Sequence, residues 1–427
     1  MQLFKTVRNA ASWYRDPYGF LDQRIALGEY DFRVDLPGSN GAMFVGSPHL
    51  INDVVRNKSL VGGEGLRFVQ PFTGPRALIV ISGAAHQRRR RPIQRAFFQG
   101  NDRWMIELTE TYFDLVARDL RAKQVFPLVA FYEHITLHTI IDYVLGVNES
   151  KHAEIFKLLT HWMQSFESPL WLFLKPLQRN FGSLTPWGRF LREREAVWNW
   201  IRDHIRNSTS DSRSVLARLI ADRSDGKLQI SEEDLVWQCI ELLLFGHDTT
   251  ACGSAWVVLH LLDNSMIQAQ ELESAHYRGA CIKEALRYTP MVVHVTRQAI
   301  EDTSVGGETI RKGQKVFPCA YLAHHHRDHY ENPEVFDPGR FMFAKSPPRD
   351  SYFPFGVGSR ICVGMPFAIG QMEILLRRTL EFGKLGKASH EKTRAARKFI
   401  IMAPEKGGLV KYESTAWKSF SVTGLES

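Results

Sequence analysis

Cysteine is scarce in this 427-residue chain, and the few present do not cluster. Cys239, Cys252, Cys281, Cys319 and Cys362 are odd in number, and no two have C-x-x-C spacing. That excludes a disulfide framework and a zinc cluster and points to a reducing compartment. No run of eighteen apolar residues occurs, so no membrane span is expected. The opening MQLFKTVRNAASWYRDPYGF carries charges throughout and has no signal-peptide core. Internal repeats and Gly/Ser- or Pro-rich linkers are also missing. The expectation is one cytoplasmic domain over 1–427, with a short N-terminal lead and a tail from roughly 414 onward outside its core. Acidic residues number 46 against 54 basic ones, leaving a formal charge of +8. Such a balance suits an anionic partner without saying whether it is a protein, a membrane surface or nucleic acid.

Apolar residues are plentiful, at 44% of the chain, enough for a large core. Short apolar runs among turn residues, as in FRVDLPGSNGAMFVG, predict small strands in the first eighty or so residues. From about Pro92 onward helical spacing dominates. The longest pattern is ISEEDLVWQCIELLLFGHDTTACGSAWVVLHLLDN. Ser231 and Asp234 read as a capping box, and no proline interrupts the run before Asp263. An unbroken helix there would span about 45 Å and, being apolar almost all round, would run through the core. Beyond Thr289-Pro290 the helical pattern stops, and short strands are expected around MVVHVTRQAI and QKVFPCAYLA. The fold class read from this is mainly α with a smaller β region.

The chemistry concentrates near FPFGVGSRICVG, Phe353 to Gly364. Glycines at 356, 358 and 364 permit positive-φ turns and close approach to something flat. Backbone N–H groups in such a loop can stabilise a thiolate. On the loop alone Cys362 could be a haem ligand or a structural cysteine in a turn; a nucleophile would want a nearby base, and none is legible.

Further motifs make the pattern specific. Phe355-x-x-Gly358-x-Arg360-x-Cys362-x-Gly364 resembles the haem-binding signature of the cytochrome P-450 superfamily. Glu284 and Arg287 in IKEALRYTP match its E-x-x-R, and Arg340 in FDPGRF matches its further arginine. Gly246-His247-Asp248-Thr249-Thr250 resembles its oxygen-activation motif. The resemblance covers nearly the whole chain. It implies a haem-thiolate monooxygenase holding haem b between the long central helix and the cysteine loop, with Cys362 on the iron. A cysteine thiolate in that position favours O–O cleavage. It further implies a structural triad of Glu284, Arg287 and Arg340, and a proton relay of Asp248 and Thr249, with Gly246 making room and Thr249 opening the helical ladder. His86, Arg90, Arg297 and Arg360 are the expected propionate ligands, with Phe355 and Gly364 completing the cofactor-binding set. Arg88, Arg89 and Arg91 would form a basic proximal face for a ferredoxin-type electron donor. No nucleic-acid motif accompanies these arginines. His324, His325 and His326 are expected to play local structural roles.

The implied substrate is a hydrophobic small molecule such as a secondary metabolite, a terpenoid or a fatty acid. Its pocket candidates are Phe68, Phe72, Glu241, Leu244, Phe245, Val292, Val293 and His294. Phe245 stands where the family usually has Ala or Gly. Glu241, one turn earlier, either meets a substrate amine or hydroxyl or pairs with an internal arginine. Rival readings are a peroxide-driven or rearranging haem-thiolate enzyme and a non-catalytic haem sensor.

Overall fold

A computed structural model describes residues 2–36, 41–98, 102–120, 124–165, 178–208, 213–264, 267, 270–342 and 350–414. The chain divides into two compact units, one of residues Met1–Val61, Thr109–His134 and Thr249–Ser427, the other of Gly62–Leu108 and Ile135–Asp248.

The first unit is built on a five-stranded sheet in the spatial order Asp31–Val34, Ala42–Val45, Lys315–Pro318, Arg297–Ala299 and Leu60–Val61. Ala42–Val45 pairs antiparallel with Asp31–Val34 and parallel with Lys315–Pro318. Its four residues are all buried, because both faces of the sheet are covered. Met43 and Val45 enter one apolar cluster with Ile51, Val54 and Phe353, while Ala42 and Phe44 enter another with Phe20, Leu21 and Phe317. This is the period-two alternation of a strand. The strands expected on both sides of residue 300 are thus present, although His294, within the first stretch, makes only an isolated bridge to Cys319.

The second unit is helical. Glu149–Gln164, Pro186–Arg206 and Glu232–Phe245 contribute a nest of aromatic rings. Trp198 meets Trp237 edge-on at 4.3 Å, and Phe190 lies 5.0 Å from Phe72.

The long helix is interrupted, contrary to the unbroken run expected. It forms Glu232–Phe245 and Asp248–Asp263, with a turn at Gly246 and His247. The cause is local. His247 Nδ1 donates to the Leu243 carbonyl at 2.8 Å, the oxygen that its own backbone N–H would take in a continuous helix. The His247 carbonyl accepts from the Thr136 hydroxyl at 3.2 Å. Glycine occupies the first turn position because a Cβ at 246 would stand 2.5 Å from the Leu242 oxygen and 2.9 Å from Ile140. The ladder therefore opens at His247, two residues before the threonine expected to open it. Ser231 accepts from the Asp234 N–H at 3.1 Å, as a helix start requires. Among the described residues one helix, Glu232–Asp263 taken through the turn, is long and apolar enough to cross a membrane, and 72% of its most apolar window is buried inside the protein.

Candidate active site

Cys362 lies in a loop held by its own backbone. Its N–H donates to the Phe355 carbonyl at 2.8 Å, and the Gly356 N–H donates to Phe353 at 2.9 Å. Gly356 and Gly358 have φ of +82° and +70°, and a Cβ on Gly358 would also meet Val55 at 2.8 Å. Helix Met365–Phe382 starts directly afterwards, so Cys362 stands before a helix N-terminus, where the dipole favours an anionic sulfur. The other four cysteines are buried, while Cys362 is exposed. Burial pushes the thiols of Cys239, Cys281 and Cys319 up to about 12, which makes them inert.

Arg297 lies beside this loop, near enough to Arg360 to feel its charge. Arg297 is buried, and its guanidinium is pushed down to about 10, first by burial and then by the nearby Arg360. Among the described residues it donates to the carbonyls of Thr296 at 3.1 Å and Val357 at 3.2 Å. Two like charges brought together in a partly desolvated place call for an anion. An accessible thiolate donor, a loop of glycines and paired guanidiniums fit a haem carrying acidic side groups.

The triad residues are in contact. Arg287 donates to Glu284 from Nε at 2.7 Å and from Nη2 at 2.8 Å, and Arg340 Nε donates at 3.1 Å. Glu284 and Arg287 are fully buried. Less legible in sequence are the carbonyls that the arginines also hold: His324, Pro333 and Val335 for Arg287, and Glu331, Asn332 and Val335 for Arg340. His324 then accepts the Phe353 N–H on Nε2 at 2.9 Å, linking this framework to the first residue of the cysteine loop. Burial, then His325 and Arg287, holds the His324 ring far below its ordinary pKa, so it is the neutral acceptor this bond needs.

In the second unit His86 is buried and Arg90 half-buried, four residues apart on helix Gly83–Phe98. Arg88 and Arg91 are exposed. Arg89 is a correction to the expected basic face: it pairs with Asp234 at 2.7 Å. Asp248 and Thr249 are both half-buried at the start of helix Asp248–Asp263.

Several pocket candidates also have structural partners. The two carboxylate oxygens of Glu241 accept from the backbone N–H groups of Leu78 and Ile79, each at 2.8 Å, and Gln238 adds a bond of 3.3 Å. Phe72 packs into the aromatic nest, and Val293 into the sheet cluster of Phe44 and Phe317. His294 is surrounded by Trp13, Phe44 and Phe317, with ring centroids 5.5, 5.9 and 4.5 Å away, and burial pushes it down to about 3. Phe68, Leu244, Phe245 and Val292 are half-buried.

The cytochrome P450 family model matches residues 32–411. This chain is a cytochrome P450. The mycobacterial protein named cytochrome P450 135B1, from Mycobacterium tuberculosis, is 26% identical over 404 residues, covering 90% of this chain and 84% of that protein. Cytochrome P450 138 of Mycobacterium bovis is 26% identical over 380 residues, covering 86% and 83%. Among solved structures, retinoic acid bound cyanobacterial CYP120A1 superposes with a TM-score of 0.78 at 20% identity, over 94% of this chain and 95% of that one. The mainly helical P450 fold with its smaller sheet region is common to both. As a P450 the chain is a haem-dependent oxidoreductase, a monooxygenase that uses O2 and a redox partner.

Proposed function

We propose that this P450 inserts one oxygen atom of O2 into a hydrophobic small molecule of the secondary-metabolite, terpenoid or fatty-acid class. The other oxygen atom leaves as water, reduced by two electrons from a separate ferredoxin and its reductase and joined by two protons. The observation that carries the reading is the exposed Cys362 thiol beside the Arg297–Arg360 pair. Haem b, when bound, supplies the oxygen-activating chemistry. Cys362 would hold its iron through the thiolate, with the loop around Phe355 and Gly364 orienting that sulfur, and Arg297, Arg360, His86 and Arg90 would meet its propionates. Gly246 leaves space, and Asp248 and Thr249 hold and pass on the protons, carboxylate to hydroxyl. Both units act as one catalytic domain in the cytoplasm.

Half-buried Phe68, Leu244, Phe245 and Val292 supply apolar lining. The cyanobacterial neighbour is bound to retinoic acid, an apolar isoprenoid acid, which is in keeping with that substrate class. Exposed Arg88 and Arg91 suit an acidic donor.

Two variants test the reading. Cys362→His should abolish the Soret band of the reduced carbon monoxide complex for which the family is named; its survival would remove the thiolate. Thr249→Ala should leave ligand-induced spectral shifts and reduction intact while NADPH and O2 consumption yields hydrogen peroxide in place of product. The expected loss of productive rate is about 10²–10⁴. Unchanged coupling would instead favour the peroxide-driven or rearranging chemistry.

A further inference from the structure

From Val7 to Arg15, helix Gln2–Arg15 turns apolar residues outward, contrary to a core helix. A globular helix ordinarily turns its apolar stripe inward. Here Asn9 is buried, and Trp13 packs on the sheet cluster, with its ring 5.1 Å from Phe44 and 5.7 Å from Phe20. From residue 7 onward, where burial is described, Val7, Ala11 and Tyr14, at i, i+4 and i+7, are the exposed apolar and aromatic residues, Val7 at 56% and Tyr14 at 45%. Arg8 and Arg15, next to that stripe, are exposed too. The segment QLFKTVRNAASWYR contains three cations and no acidic residue.

The stripe is also held in place. Arg397 donates to the carbonyls of Trp13 at 3.0 Å and Tyr14 at 3.1 Å, and its guanidinium lies 5.6 and 5.5 Å from their rings. These are the orphan carbonyls of a helix C-terminus, so the outward orientation is fixed by the folded unit.

We propose that this helix lies in the surface of an anionic lipid bilayer. Val7, Ala11 and Tyr14 enter the headgroup boundary, and Arg8 and Arg15 meet lipid phosphates. An amphipathic, cationic helix with an aromatic residue on its apolar side has the chemistry of an interfacial segment, which lies on a membrane without spanning it. Charge complementarity selects the anionic surface. The reading does not depend on the haem chemistry.

The full haem-loaded chain can be sedimented with vesicles of phosphatidylcholine and phosphatidylglycerol in equal parts, and with vesicles of phosphatidylcholine alone. Binding is expected to the mixed vesicles at low salt and to fall steeply at high salt. Val7→Glu should weaken it about tenfold or more. Arg8→Gln should weaken it about fivefold on mixed vesicles and leave phosphatidylcholine unaffected. Leu184→Glu, at a site 88% exposed in the other unit, should bind like the parent. Melting temperature and the carbon monoxide spectrum report that each variant is folded. A parent chain that stays in the supernatant with mixed vesicles overturns the proposal. So does Val7→Glu protein that sediments like the parent, or a helix that captures an acidic protein while ignoring lipid.

Discussion

Glu284 and Glu241 are buried helical carboxylates in the two different units, and they are satisfied by different partners. Glu284 faces two guanidiniums and one backbone N–H, that of Asp337 at 2.9 Å. Glu241 faces two backbone N–H groups and the amide of Gln238. In the first region charge neutralises charge, and every member is hostage to the others, because a buried guanidinium without its carboxylate is heavily penalised. In the second region the partners described are dipoles, two backbone N–H groups and an amide, and such neutral groups carry a smaller desolvation penalty when the carboxylate is removed. The contrast also explains what could be read from the sequence. A guanidinium three residues on is a pattern; a backbone N–H is present at nearly every residue and leaves no trace.

The sharpest way to break the comparison is Glu284→Gln. It should cost about 3–5 kcal/mol in chemical denaturation and deplete bound haem, since Arg287 has no exposure through which to recover hydration. A loss below about 1 kcal/mol would mean that the carbonyls of residues 331–335 satisfy the arginines by themselves.

Acid should separate the regions next. Burial holds His260, His294 and His325 down to about 3, and His324 well below its ordinary value, all in the sheet-containing unit. Each is neutral when folded and takes a proton near pH 6.5 when unfolded. Their contribution is therefore complete above about pH 6.5 and is lost as pH falls from there towards 3. The loss is roughly 1 kcal/mol per histidine per pH unit, or roughly 4 kcal/mol for the four at pH 5.5. Melting curves at pH 7 and 5.5 measure it, and His325→Asn should flatten the slope by about a quarter. A slope unchanged in that variant would place the acid sensitivity elsewhere.

The smallest effect is expected for Glu241→Gln, about 1 kcal/mol, because the amide oxygen still accepts one bond. Hydrogen exchange should accelerate at the Leu78 and Ile79 amides and little elsewhere. A loss equal to that of Glu284→Gln would erase the distinction between the two regions.

Much of the fold was legible because it rests on period and punctuation. FRV and AMFV alternate as strands do, Ser231 starts its helix, and Thr289-Pro290 ends another. The cysteine loop and the E-x-x-R pair were legible because their partners are near in sequence. What escaped depends on distant or unspecific partners. Nothing in VVHV says that its histidine will sit against Trp13 from the start of the chain. Nothing in the arginine run says that Arg89 alone will turn to Asp234. The interruption at Gly246 and His247 depends on a ring nitrogen replacing a backbone donor, a choice that helical spacing does not encode.

The Glu241 anchor has a consequence for the order in which the chain assembles. Its bond to Leu78 closes a separation of 163 residues, and the segment that it holds, residues 75–80, consists of turns beyond the short helix Gln70–Thr73. Such a closure is entropically slow and follows the local helices, so it belongs to the late side of the folding barrier. Losing it should leave refolding rates nearly unchanged and raise the unfolding rate. One carboxylate is thus a latch on kinetic persistence: it lengthens the lifetime of the native chain without guiding its formation.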